Sequence, residues 1–92
     1  IGTGGTVVAT ANVLREHGAE EIYCAVTHPV LAGEASKLLD DSIVSEIVVT
    51  DTMPVPPEKM GPKIKVISIA PMLGEAIHRI HSGLSVGAMF DA

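Results

Sequence analysis

The sequence has no tryptophan, one tyrosine (Tyr23) and one phenylalanine (Phe90). Aromatic rings therefore cannot dominate its core, and Val, Ile, Leu and Ala must fill the interior. Basic residues are also scarce, with 6 Lys plus Arg against 11 Asp plus Glu. Without a basic stripe or an aromatic platform for stacking bases, a nucleic-acid partner is not expected. No apolar run is long enough to span a bilayer, and no signal-peptide pattern opens the chain. The expectation is a cytoplasmic protein with no membrane partner. The single cysteine, Cys24, cannot form an internal disulfide, which suits a reducing compartment. It lies in the apolar segment 22–26, where a free cysteine is more often a buried structural thiol than a reactive one. An initiating methionine is absent too, and the opening glycine-rich turn has no strand before it, although such loops normally follow one. We therefore expect that upstream residues, including a first strand, have been lost by truncation or proteolysis.

What remains is aliphatic. Hydrophobic residues make up 47% of the 92, enough for a globular core and too many for a disordered chain. That length allows one small domain or a piece of a larger one. Residues 1–6 form a loop rich in Gly and Thr. Val7, Ala11 and Leu14 recur at helical spacing, and His17-Gly18 would end that helix on a left-handed glycine. Strands are expected at 22–27, 47–50 and 64–69. A short helix at 34–39 would carry Ala35, Leu38 and Leu39 on one side. Residues 53–62 hold four of the six prolines and read as a stiff surface connection. Pro71 suits the first residue of a last helix, with Leu73, Ala76, Ile77 and Ile80 as its apolar face and Ser82-Gly83 as its end. Residues 85–90 form a short apolar tail. No internal repeat or low-complexity segment is evident. The alternation of elements implies an α/β fold with a mostly parallel sheet.

The strongest local signal is Thr3-Gly4-Gly5-Thr6 running straight into a helix. Glycines let a backbone approach a ligand closely. Successive amides, the positive helix end and threonine hydroxyls then face an anion, for which phosphate is the natural guest. Taken alone, the loop fits an ordinary Gly-Gly turn equally well. It is not a Walker loop, because no Gly-Lys-Ser/Thr follows.

Five segments in order carry a more specific signal. They are Gly2-Thr3-Gly4-Gly5-Thr6, Thr27-His28-Pro29-Val30-Leu31-Ala32-Gly33, Val48-Val49-Thr50-Asp51-Thr52, Lys65 through Leu73, and Ser85-Val86-Gly87-Ala88-Met89-Phe90. In these the chain resembles the C-terminal part of ribose-phosphate pyrophosphokinases (PRPP synthetases) over nearly its whole length. The resemblance implies a phosphoribosyltransferase-type, Rossmann-like domain over residues 1–84, lacking its first strands. Residues 85–92 would be a tail that packs on an absent N-terminal domain. It implies transfer of the β,γ-diphosphate of ATP to the 1-hydroxyl of ribose 5-phosphate with Mg²⁺, in a homo-oligomer. Gly2, Thr3, Gly4, Gly5 and Thr6 would hold the 5-phosphate, and Ser85, Val86 and Gly87 are candidates for a regulatory phosphate. The ATP contacts, the catalytic lysine and the metal ligands would lie upstream, so the fragment alone should be inactive. Three positions depart from the family pattern: Gly2 stands for a sugar-contacting Asp, Ala32 for a common Ser, and Gly87 for the second Ser of the tail. The alternatives are a non-catalytic regulatory subunit of PRPP synthetase and a purine phosphoribosyltransferase. The match beyond the loop argues against the second.

The other polar residues carry weaker signals. His78 and His81 share a helix side, but without a third ligand they read as an exposed polar face rather than a metal pair. His28, after a strand, is either a ligand-end residue or, more simply, the strand's terminator beside Pro29. His17 suits a helix C-terminus. Asp51 follows a strand, where it serves a turn or a polar role at the sheet edge. Asp40-Asp41 and Glu20-Glu21 read as solvated turns.

Overall fold

A computed structural model describes residues 2–91 of the chain. Helix α1 (Gly5–Glu16) is followed by strand β1 (Tyr23–Val26), helix α2 (Ala35–Asp40), strands β2 (Glu46–Thr50) and β3 (Ile64–Ile67), and helix α3 (Ala70–His81). Short 3₁₀ turns lie at Pro57–Lys59 and Gly87–Phe90. The three strands form one parallel sheet in the order β1-β2-β3. The α/β class and the parallel sheet thus agree with the sequence expectation.

The central strand of the sheet is built on strict alternation. Cys24, Ile47 and Ile64 are in register, as are Val26, Val49 and Val66. These residues share one face because side chains alternate along a strand. On that face Ile47 and Val49 of the central strand are fully buried, and they form a core with Ala11 of α1 and Ala35 and Leu39 of α2. Ile64 of β3 and Ile22, Leu31 and Val44 of the connections complete the core. Each Ile, Leu or Val side chain among these, fully buried, contributes about 1.5–3 kcal/mol. Helix α2 has only 6 residues, too few to be stable in isolation, so its docked residues Ala35 and Leu39 must hold it.

The opposite sheet face has no such cover. Tyr23 and Ala25 are exposed, and so are Lys65 and Ile67. Helix α3 buries none of its residues, and its apolar face is open to solvent, with Ile77 68% and Ile80 70% exposed.

Several expectations need correction. Leu38 is exposed, because the short α2 turns only Ala35 and Leu39 inward. Strand β3 ends at Ile67 rather than 69, since Ile69 becomes the N-cap of α3, and Pro71 falls on the helix's second residue. Cys24 is half-buried rather than enclosed, because it sits on the outermost strand β1. Residues 53–62, expected as a stiff connection rather than a helix, include the short 3₁₀ turn Pro57–Lys59.

Candidate functional site

The glycine-rich loop meets α1 at Gly4, its N-cap, with φ 89° and ψ −9°. This left-handed conformation suits glycine, which has no Cβ to clash. The first bond into the helix runs from Val8 N–H to Gly4 O at 3.1 Å. The amides ahead of Val8 therefore have no acceptor within the helix, and the N-cap Gly4 has no side chain to cap them. They border an open hollow of about 260 Å³ lined by Gly2, Thr3, Gly4, Gly5, Thr6 and Val7. All five loop residues singled out from the sequence thus converge on one concavity. Among the described residues, no Lys, Arg, Asp or Glu lines it. Any attraction for an anion must come from amides, hydroxyls and the helix end.

The roles of the two glycines differ. A Cβ at Gly4 would meet Leu39 Cγ at 3.5 Å and Ala35 Cβ at 3.7 Å, so Gly4 packs against α2. A Cβ at Gly5 would find only Thr3 Oγ1, 4.0 Å away, and Gly5 already has helical backbone as the first residue of α1. Gly4, rather than Gly5, is the position that requires glycine conformationally.

The loop is tied to the carboxyl end of the sheet. Ala32 N–H, in the connection after β1, donates to Gly2 O at 2.9 Å. Beside it, Thr52 Oγ1 donates to Thr27 O at 2.8 Å, while Thr50 Oγ1 donates to the same carbonyl. His28 Nδ1 shares a hydrogen bond with Thr52 Oγ1 at 2.8 Å. His28 is therefore more than a strand terminator, since it joins the ends of β1 and β2.

Asp51 serves a structural purpose. Its Oδ1 accepts Ile69 N–H at 2.9 Å, at the start of α3. Hydrogen bonds from the Ser68 side chain and then from the Ile69 amide hold its carboxyl below the ordinary value of 3.8. At the far end of α3, Arg79 Nη1 donates to Ser85 O at 3.0 Å and its Nε to Glu75 at 2.9 Å. Ser85 Oγ accepts Ala88 N–H at 3.3 Å, so these groups of Ser85 and Arg79 close the turn at 85–87 on itself. Val86 is half-buried there, and Gly87 opens the last 3₁₀ turn. Sequence reasoning missed Lys59, whose Nζ donates to Leu31 O at 2.8 Å. No local pattern signals it, because the partners are 28 residues apart.

The model of the phosphoribosyl synthetase-associated domain family matches residues 1–91. The chain belongs to this family. It is 48% identical over 91 residues to the ribose-phosphate pyrophosphokinase of Oceanobacillus iheyensis, covering 99% of this chain and 29% of that protein. Over 90 residues it is 52% identical to the enzyme of the same name from Caldanaerobacter subterraneus, covering 98% of this chain and 28% of the relative. The crystal structure of phosphoribosylpyrophosphate synthetase from Mycobacterium smegmatis superposes with a TM-score of 0.85 at 38% identity, over 90% of this chain and 28% of that one. The chain thus spans less than a third of the length of the relatives it matches. The resemblance read from the five segments is borne out at the level of family and fold.

Proposed function

We propose that this chain supplies the 5-phosphate cradle of a ribose-phosphate diphosphokinase, which converts ATP and ribose 5-phosphate into PRPP and AMP. The observation that carries the reading is the hollow at the start of α1, where uncapped amides and two threonines surround a space without acidic groups. A dianionic phosphate satisfies such amides better than water does, because hydrogen bonds to a charged acceptor are the stronger kind. The names of the relatives supply the substrate and the reaction.

The remaining chemistry is assigned to other parts of the intact enzyme. No group of three or more His, Cys, Asp or Glu among the described residues could hold a metal ion. No carboxylate lines the hollow. These residues do not fit Mg²⁺, so in this proposal the Mg²⁺ and the ATP are held outside them. Transfer of a diphosphoryl group needs cations to stabilise the developing charge, and the hollow offers none. The chain by itself is therefore inactive, and Ser85, Val86 and Gly87 act at most in regulation. We assign the intact protein to the cytoplasm as a homo-oligomer. No helix among the described residues is long and apolar enough to cross a membrane.

The test has two arms. Calorimetric titration of ribose 5-phosphate into the chain should detect binding that inorganic phosphate displaces. Incubation with ATP, Mg²⁺ and ribose 5-phosphate should release no AMP. Absence of binding would remove the cradle, and steady AMP release from a pure sample would remove the assignment of catalysis to other residues.

A further inference from the structure

The connection at 28–33, between β1 and α2, is held in an unusual conformation. Leu31 has φ 49°, and it is the one non-glycine residue with positive φ among the described residues. Leucine is disfavoured there because its Cβ crowds the following carbonyl oxygen. Such a conformation persists only where the surroundings impose it. Two contacts do so. The Leu31 side chain is fully enclosed in the core, with 0% exposure. Its carbonyl oxygen accepts Lys59 Nζ at 2.8 Å.

The next amide in the chain is the one that reaches the loop. The Leu31 carbonyl and the Ala32 N–H belong to one planar peptide group, so they point in opposite directions and rotate together. Lys59 holds the oxygen end of that plane, and Gly2 O accepts the amide end at 2.9 Å. A cation on the carbonyl also polarises the peptide and strengthens its N–H as a donor. Lys59 is itself fixed. It ends the turn Pro57–Lys59, and its own carbonyl accepts Ser36 Oγ at 2.6 Å. The single ion pair among the described residues joins Arg79 and Glu75, so no carboxylate there holds the Lys59 ammonium.

We infer that Lys59 is a positioning residue for the glycine-rich loop, acting through the Leu31–Ala32 peptide to hold Gly2 at the edge of the hollow. The proline-rich connection between β2 and β3 thereby sets the shape of a site to which it contributes no lining residue. This inference rests on the reading of the hollow as an anion cradle, and its test separates the two.

The experiment compares the chain with its Lys59→Met and Lys59→Arg variants. Met keeps most of the aliphatic stem and loses the donor, whereas Arg keeps a cationic donor. Amide hydrogen exchange is followed at Ala32 and, as a control in the sheet, at Ile47, whose N–H donates to Lys63 O. Lys59→Met should speed exchange at Ala32 by about tenfold or more relative to Ile47, as expected for loss of a charge-assisted bond. It should weaken ribose 5-phosphate binding by about the same factor. Lys59→Arg should restore most of both. Equal acceleration at Ala32 and Ile47 would mean that Lys59 supports only global stability, and no change at either amide would mean that it positions nothing. Either result overturns the inference. If the parent chain fails to bind ribose 5-phosphate, the cradle reading falls. The exchange ratio still decides whether Lys59 holds the Leu31–Ala32 peptide.

Discussion

Adding a methyl group at Gly4 and at Gly5 should produce opposite effects on stability, although the two residues are adjacent. Gly4 has φ 89°, and an alanine there must adopt the left-handed conformation. That costs about 1–2 kcal/mol. The new Cβ would stand 3.5 Å from Leu39 Cγ and 3.7 Å from Ala35 Cβ, which is ordinary contact, so sterics add little. Gly4→Ala should therefore lower Tm by roughly 4–16 °C, at about 4–8 °C per kcal/mol for a domain of this size. Gly5 is already helical and its Cβ would meet nothing but Thr3 Oγ1. Gly5→Ala should stabilise by about 0.4–1 kcal/mol by restricting the unfolded chain. Gly5 also lines the hollow, so in the cradle reading a side chain there takes room from the ligand. Gly5→Val enlarges that obstruction and should remove at least one hydrogen bond to a charged oxygen, worth about 1.5–3 kcal/mol or ten- to a hundredfold in affinity. Thermal unfolding by circular dichroism and calorimetric titration of ribose 5-phosphate read the two effects separately. Ribose 5-phosphate binding to Gly5→Val as tight as to the parent would refute the cradle. A Gly4→Ala variant as stable as the parent would refute the conformational argument.

Two further outcomes follow from the rest of the fold. The Asp51 carboxyl is held below its ordinary value by Ser68 and the Ile69 amide, so its contribution is complete above the ordinary carboxylate range and is lost as pH falls through the lowered folded value. The protection of the Ile69 amide, taken relative to its intrinsic exchange rate at each pH, should fall in acid, and Asp51→Asn should flatten that pH dependence; an unchanged profile would show that the carboxylate does not anchor α3. The chain should also self-associate in sedimentation. Helix α3 exposes Leu73, Ile77 and Ile80, and among the described residues β1 is an edge strand beside an apolar cleft lined by residues including Val7, Leu14 and Ile22. A monomer at all concentrations would contradict this.

The sequence was most informative where one residue type has one structural use. Gly18 and Gly83, with φ 100° and 71°, end α1 and α3 where helical periodicity runs out, as left-handed caps should. The alternation of Ile47 and Val49 with half-buried neighbours marks the central strand, and Ala35 and Leu39 mark the buried side of α2. Thr3-Gly4-Gly5-Thr6 was recognisable because a helix N-terminus and an approachable backbone are both local properties. The division of labour between its glycines was not, since it depends on α2, some 30 residues away in the chain, as the separation of Gly4 from Leu39 indicates.

The failures have a common physical origin. The periodicity of Leu73, Ala76, Ile77 and Ile80 reports that α3 is amphipathic, which it is, but says nothing about what its apolar face meets. In this chain none of those residues is buried. Amphipathicity is a property of one segment, whereas burial is a property of two. The same distinction explains Lys59 and His28. Each looks like a surface residue in its own segment: Lys59 stands among prolines and His28 before one. Each acquires its role from a partner 24 or 28 residues away, Thr52 for His28 and the Leu31 carbonyl for Lys59. Both partners lie at or beyond the ends of secondary-structure elements, where neither a period of 3.6 nor one of 2 constrains the residue type. The glycine-rich loop can therefore be read from five consecutive residues, while its hydrogen-bonded partners from other segments become visible only once the chain has folded.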